Sequence, residues 1–277
     1  MSLKLKYETD SSVSRLKLIK YCLMKFLLLL ALVISFSVDS FAVTCLRDNS
    51  DKGYEIMKKV DLESKKYKTQ KSDIYMEIVD ENNSKRKRYF NLYKKNFGSD
   101  SRSLIKFYEP SNIKNTSLLS YSYDNKENDQ WFYFPALRNI KKLGINDKNS
   151  SFMGSDFSNA DIAGRSLGDY NYCFESEEGG FAYVSSYPKL KGDQYSVLKM
   201  KVAKKVNMVA KIEFFDRQDE HVKTLKNQKI RKISGFYVVL KSKMINHKNG
   251  GNTKIITKRI ELNSDISDGF FGVRNLR

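Results

Sequence analysis

The residues of this chain that could carry out chemistry are few, and most stand in polar turns. Ser155 and Asp156 are adjacent, and Asp161 follows five residues after Asp156. A serine nucleophile needs a neighbouring base, and the sequence offers none beside Ser155, so turn capping is the favoured role of the two carboxylates. His221 and His247, the two histidines of the chain, lie in or beside turns, where a histidine is usually solvated.

Several motifs of metal, nucleotide and redox chemistry are missing from the sequence. It contains no HExxH zinc motif, no phosphate-binding P-loop and no CxxC pair. These absences favour a binding protein over an enzyme, with no catalytic residue, no cofactor and no bound metal ion expected.

The most distinctive segment runs from Asp129 to Phe157 and joins an aromatic strand to a basic run and a glycine turn. Its strand, residues 131–134, is Trp-Phe-Tyr-Phe without polar alternation, so both faces must be covered by apolar groups. Alternate residues point to opposite faces, which places Trp131 and Tyr133 together. One face could pack on helices or strands, and the other could line a cavity for an apolar ligand.

The N-terminus has the layout of a secretory signal peptide. A lysine after Met24 is followed by an apolar run from Phe26 to Phe36 and a polar shoulder, which predicts cleavage after Ala42. This apolar run is shorter than the about 20 residues that span a bilayer. Residues 1–42 are therefore interpreted as a leader with its true start at Met24, and residues 43–277 as a single periplasmic domain. A retained N-terminal anchor is the alternative.

Export would place Cys45 and Cys173 where disulfides persist, while Cys22 would be lost with the leader. The sequence leaves open whether the two are bonded, because it does not supply their geometry. The formal charge of +18 favours a polyanionic partner. Outside the cytoplasm this means anionic lipid headgroups and no nucleic acid. Lysines that protect strand edges from aggregation explain the charge equally well.

Around ten short strands with regular turns predict one all-β barrel or sandwich. A helix is predicted near Tyr54–Val60 with Asp51 as its N-cap, and a second one near residues 158–164 with Ser158 as its N-cap. One long strand is predicted from Ile230 to Lys243. Between residues 149 and 170, apolar residues occur among residues that are typical of turns. This mixture predicts a loop that folds back onto the interior.

Four segments of the middle third carry a family resemblance. They are SLIKFYEP (103–110), IKNTSLLSY (113–121), DQWFYFPALR (129–138) and SFMGSDF (151–157). With these segments the chain resembles the periplasmic outer-membrane lipoprotein-sorting-like proteins, relatives of the lipoprotein carriers LolA and LolB. Weaker similarity extends the resemblance over nearly all of residues 54–277.

The resemblance implies a mainly β fold, in which a strongly curved antiparallel sheet forms an unclosed barrel around short helices and encloses an apolar cavity. It implies a periplasmic carrier or acceptor, expected to be a monomer, that binds acyl chains of a lipoprotein or a phospholipid and serves lipoprotein transport to the outer membrane. The first alternative is an accessory cargo-binding or interaction module of an RND-type exporter. A periplasmic hydrolase that uses Ser155 or Asp156 is the remote alternative.

The same reasoning assigns three groups of site residues. The candidates for lining the cavity are Phe107, Leu119, Tyr121, Trp131, Tyr133, Phe152, Met153 and Phe157. The basic run Arg138, Lys141 and Lys142 is expected at the rim, in contact with headgroups or a partner, and Gly154, Ser155 and Asp156 are expected to form a turn or lid. The chain departs from the family at Asn115, which would adopt the left-handed conformation in place of glycine, and at Ala160-Asp161, where a Glu-Asp pair is expected.

Overall fold

The computed structural model describes residues 45–124 and 126–277, so the predicted leader lies outside the described residues. All strands in this part of the chain belong to one antiparallel sheet. Its thirteen strands are β1 Thr69–Val79, β2 Lys85–Phe97, β3 Asp100–Glu109, β4 Ser117–Ser122, β5 Asp129–Phe134, β6 Asn139–Lys142, β7 Tyr170–Glu178, β8 Phe181–Pro188, β9 Tyr195–Ala203, β10 Met208–Asp216, β11 His221–Ile233, β12 Phe236–Asn246 and β13 Asn252–Leu262.

The sheet consists of two meanders that meet in the middle. Its spatial order runs from β6 back to β1, continues with β13, and runs down to β7. Each meander pairs strands that follow one another in the chain, and the ladder between β1 and β13 joins the meanders. Strands β6 and β7 form the two edges and do not pair with each other. The predicted unclosed, mainly β architecture is therefore confirmed.

Three α-helices accompany the sheet in the described residues: α1 Arg47–Ser64, α2 Ile145–Asn149 and α3 Asn159–Ala163. Helix α1 begins earlier than predicted, with Leu46 in the N-cap position. The assignment of Asp51 as N-cap is therefore wrong, and Asp48 supplies the negative charge in the first turn that suits the helix dipole. Ser158 caps α3 as predicted, since its hydroxyl accepts a hydrogen bond from the Asp161 N–H at 3.0 Å.

Turn chemistry explains where the strands end. The predicted strand from 230 to 243 is wrong, because Ser234 and Gly235 both have positive φ and turn the chain from β11 into β12. A Ser-Gly pair is a recognised turn signal. Asn115 has φ 64°, so the predicted left-handed turn is confirmed.

The two faces of the sheet are covered differently. Helices α1 and α3 and the segment before α3 cover the inner face, where two buried clusters share the side chains of Ile162 and Ile255. The outer face of β3 to β5 forms a third buried cluster with the C-terminal residues, among them Phe271 and Leu276. The C-terminal residues form two 3-10 turns, Asp268–Phe271 and Val273–Leu276.

Helix α1 is fixed against the edge strand β7. A disulfide joins Cys45, just before the helix, to Cys173 in β7. A side chain at Gly53 would stand 2.8 Å from the Phe174 backbone nitrogen, so glycine permits the close approach of helix and strand. Within residues 45–124 and 126–277, no helix combines the length and apolarity needed to cross a bilayer.

Candidate ligand-binding site

The connection between the two sheet edges, residues 143–169, crosses the inner face. Its central part, residues 150–158, is called here the lid segment; its ends are joined by a β-bridge between Ser151 and Ser158. Phe152 is fully buried in one inner cluster, and its ring centroid lies 5.7 Å from that of Phe107 in a tilted arrangement. Phe157 is buried in the other inner cluster. The loop predicted to fold back onto the interior does so, with its aromatic side chains inside the sheet.

Polar tethers hold the lid segment over one end of the sheet. The Thr253 hydroxyl donates to Oδ2 of Asp156 at 2.7 Å, and Asn246 donates to Oδ1 at 3.2 Å. Arg86 donates to the carbonyl oxygen of Gly154 at 3.2 Å. The Ser155 hydroxyl contacts only the backbone of Phe157 among the described residues, so no side-chain base activates it there. The turn is therefore attached to β12 and β13 mainly through Asp156.

The residues predicted to line the cavity lie on two faces of the sheet. Those on the inner side are Phe107, Phe152, Met153 and Phe157. Those on the outer side, packed with the C-terminal turns, are Leu119, Tyr121, Trp131 and Tyr133. The inward side chain of the aromatic strand is Phe132, which is 4% exposed. The pleat of β3 to β5 therefore separates residues that were predicted to lie together.

The three cations predicted at the rim differ in their partners. Lys141 forms an ion pair with Asp147 at 2.8 Å, and Lys142 forms one with Asp129 at 2.6 Å. Arg138 has φ 48° and forms no ion pair with a described residue. Beside it, Leu137 is 72% exposed. The tip of the β5–β6 hairpin therefore presents an apolar and a cationic side chain together.

A cleft of about 510 Å³ lies between the turn before β5, helix α3 and the turn after β8. It thus lies at the open side of the sheet, called here the seam, where residues of both meanders line it. Its lining residues are Asp124, Lys126, Glu127, Asn128, Gln130, Lys148, Ala160, Ala163, Gly164, Arg165, Gly168, Asp169, Tyr170, Lys189, Leu190 and Asp193. A side chain at Gly168 would overlap the Asp124 carbonyl oxygen, so this glycine lets the two sides of the seam meet.

A buried charge network holds Arg165, which lines this cleft. Oδ1 of Asp161 accepts a hydrogen bond from Arg165 at 2.5 Å, and Oδ2 accepts one from the Tyr195 hydroxyl at 3.0 Å. The Lys223 ammonium lies 3.8 Å away. Burial alone would raise the pKa of Asp161, but the Arg165 and Lys223 charges outweigh it and lower the pKa. Asp161 therefore caps α3 and also holds two cations in place.

Arg165 belongs to a GxSxG pattern, Gly164-Arg165-Ser166-Leu167-Gly168. In a nucleophile elbow such a serine lies between a strand and a following helix. Here the order is reversed, because helix α3 precedes the pattern and strand β7 follows it. Ser166 is the N-cap position of a 3-10 turn, and its N–H donates to Asp169 at 2.8 Å. The pattern is therefore a turn rather than an elbow.

The two histidines form a pair that the sequence did not predict. The rings of His221 and His247 are 4.4 Å apart, and the Nε2 atom of each lies 2.9 Å from the Thr224 hydroxyl. Burial and the neighbouring His221 lower the pKa of His247. In the described part of the chain, no three His, Cys, Asp or Glu side chains are grouped as metal ligands.

The cleft residues were missed by sequence reasoning because they come from distant segments. Arg165 and Asp169 precede β7, while Lys189 and Asp193 follow β8. They meet because β7 pairs antiparallel with β8, which places Tyr170 opposite Pro188. One signal in the sequence could have indicated the cleft. Arg165 stands between a glycine and a serine in the segment that interrupts the strand pattern.

Comparisons with known proteins agree with this architecture. Residues 99–277 match the model of a protein family whose description is "Uncharacterized protein". The crystal structure of a DUF1329 family protein from Desulfovibrio piger is 27% identical, with a TM-score of 0.79 over 83% of this chain and 99% of that one. No curated protein matches the chain.

Two further structures are similar in fold. An outer membrane lipoprotein-sorting protein domain from Vibrio parahaemolyticus is 23% identical, with a TM-score of 0.79 over 82% of this chain and 99% of that one. A LolA superfamily protein from Nitrosomonas europaea is 18% identical, with a TM-score of 0.64 over 79% and 97% of the two chains. The chain therefore belongs to the matched uncharacterized family, and its fold is LolA-like.

Proposed function

We propose that this protein is a periplasmic carrier or acceptor that holds the acyl chains of a lipid or lipoprotein inside its sheet. The observation that carries the proposal is the cleft of about 510 Å³ at the open seam, next to an inner face filled by a tethered lid segment. Its volume lies within the usual range of ligand pockets, about 300–1,000 Å³. The lipoprotein-sorting domain that shares this fold supports the same assignment.

The lid segment has the properties of a removable cover. Its buried anchor Phe152 contacts an inner cluster that includes Phe90, Phe107 and Phe132, and these side chains could contact an acyl chain instead. Exposing one aromatic side chain costs roughly 1.5–3 kcal/mol, whereas each buried methylene contributes about 0.8 kcal/mol. A chain of four or more methylenes therefore offsets the loss of Phe152, before ordering costs.

The hairpin tip is the proposed contact with a membrane or a donor protein. Leu137 and Phe134 are exposed there, at 72% and 39%, next to Arg138, whose guanidinium forms no ion pair within the described part of the chain. A basic group with apolar neighbours suits the interface of an anionic membrane. Lys141 and Lys142 lie beside the tip but are neutralised by carboxylates, so Arg138 is assigned the main role.

Lipid mass spectrometry of protein purified from the bacterial periplasm tests the proposal, and we expect co-purifying phospholipid or lipoprotein. After lipid removal, a fluorescent fatty-acyl probe should bind to the wild type. Ala163→Trp places a large side chain in the cleft and should abolish probe binding. Ala136→Trp, at an exposed site on the hairpin tip, is the matched control and should retain it.

Three outcomes would contradict the carrier role. A lipid-free protein that also fails to bind the probe would exclude acyl binding. A stable complex with an RND-type exporter without lipid would favour the accessory interaction module. Turnover of ester or glycan substrates that is lost in Asp156→Ala would favour a hydrolase.

A further inference from the structure

The cleft is balanced in charge although the chain is strongly basic. Four carboxylates and four cationic side chains line it, whereas the chain holds 50 Lys and Arg against 32 Asp and Glu. A site built for an anion alone would concentrate cations, because binding sites are complementary in charge to their ligands. The balance therefore indicates a ligand that carries both charges.

Part of this charge is already neutralised within the protein. Lys148 forms an ion pair with Glu127 at 2.6 Å at the rim. Asp169 and Asp193 instead each accept one backbone N–H, from Ser166 at 2.8 Å and from Tyr195 at 2.9 Å. Neither carboxylate forms an ion pair with a described residue. A partly buried carboxylate without a cation is costly, so both are available to a cationic group.

The cationic side chains of the cleft are also available to a ligand. Nε of Arg165 donates to the Tyr170 hydroxyl at 2.7 Å, and Nη2 donates to Asp161 at 2.5 Å. These bonds fix the plane of the guanidinium, while its Nη1 group has no acceptor among the described residues. A fixed guanidinium with free N–H groups suits a phosphate. Lys189, on the neighbouring turn after β8, adds an exposed cation.

We propose that the cleft recognises a zwitterionic phospholipid headgroup that carries a primary ammonium, as phosphoethanolamine does. The phosphate binds Arg165 and Lys189, and the ammonium donates hydrogen bonds to Asp169 and Asp193. A quaternary ammonium has no N–H to donate and is recognised by aromatic cages, whereas Tyr170 is the single aromatic residue among the described lining. This inference rests on the proposed function, because it assigns the headgroup of the same lipid.

The test compares three phospholipids that have identical short acyl chains and ethanolamine, choline or glycerol headgroups. Binding to the lipid-free protein is measured by calorimetry. We expect the ethanolamine lipid to bind roughly tenfold more tightly than the other two, the effect of one charge-assisted hydrogen bond. Asp169→Asn and Asp193→Asn should each reduce this preference without weakening the glycerol lipid. Asp265→Asn, on the C-terminal segment, should change nothing.

Two results would overturn the inference, and they separate it from the carrier role. Equal affinity for the three lipids, with the fatty-acyl probe still bound, would remove the headgroup assignment and leave acyl binding intact. Failure of all three lipids and of the probe would remove both. Lys189→Gln is an exposed variant with little risk to folding, and it should weaken all three phospholipids but not the fatty-acyl probe.

Discussion

The inner and outer faces of β3 to β5 are both apolar, yet they are covered by segments of different character. On the outer face, Phe271 and Leu276 are fully buried, and Lys95 fixes the segment through its ion pair with Asp268 at 2.7 Å. On the inner face, Phe152 is equally buried, but clefts of about 510 and 270 Å³ flank the segment that carries it. Under the proposed function the inner cover is exchangeable and the outer one permanent, so neighbouring free volume rather than burial separates the two.

The largest expected effect comes from removing the two buried anchors. Phe271→Ala and Phe152→Ala should each lower the free energy of unfolding by about 3–5 kcal/mol in ligand-free protein. With saturating fatty-acyl ligand the cost of Phe152→Ala should fall, because the acyl chain replaces that side chain, while the cost of Phe271→Ala stays the same. Urea unfolding with and without ligand measures both. If added ligand changed the unfolding free energy of the two variants equally, the proposed difference between the inner and outer covers would be contradicted.

A smaller effect is expected from the inner tether. Asp156→Ala removes the acceptor of the Thr253 hydroxyl, and an unpaired buried hydroxyl costs about 1–3 kcal/mol. Hydrogen exchange should become faster in residues 150–158 and remain unchanged in the C-terminal turns. Asp265→Ala, at an exposed position, is the control. Faster exchange of both covers in Asp156→Ala would show that they are not independent.

Acid should loosen the outer cover. The hydrogen bond from Lys95 lowers the pKa of Asp268, and the pKa of an unfolded aspartate is about 3.9. A lowered pKa in the folded state means that the pair stabilises the fold above that pH, and the contribution is lost as the pH falls through the folded value. The protection factors of the C-terminal turns against hydrogen exchange, which correct for the intrinsic pH dependence of the rate, should therefore fall below about pH 4. Asp268→Asn should show the lowered protection at neutral pH already.

The smallest expected effect is at Trp131. It packs on the outer face, 5.0 Å from Tyr121, so its fluorescence should not respond to an acyl ligand. A tryptophan moved to the inner face, by Phe132→Trp in a Trp131→Phe background, should respond. A strong change in Trp131 fluorescence in the wild type would place the ligand on the outer face. The outer cover, and not the inner one, would then be the exchangeable one.

Local chemistry was predictable from the sequence. The Ser158 cap, the left-handed Asn115 and the need to cover both faces of the aromatic strand all depend on neighbouring residues, and the structure contains all three. The boundary at Ser234-Gly235 was missed because the apolar pattern continues through it.

The assignment of each strand face to a cover was not predictable in the same way. Whether Trp131 or Phe132 points inward depends on how β5 pairs with β4 and on where the C-terminal turns lie. The meeting of Asp161 with Tyr195 and Lys223 depends on contacts between segments about 30–60 residues apart. Such contacts leave no periodic pattern in the chain.

The order of strands in the sheet has a consequence for folding. Within each meander every ladder joins strands that are consecutive in the chain, whereas the central ladder pairs residues as distant as Tyr75 and Ile256. Local contacts form quickly, and distant ones must first overcome the entropy of closing a long loop. The two halves are therefore expected to form first and to be joined along β1 and β13 in the slow step. The molecule then assembles as two half-sheets that pair along β1 and β13, with residues 143–169, which include the lid segment, as the connection between them.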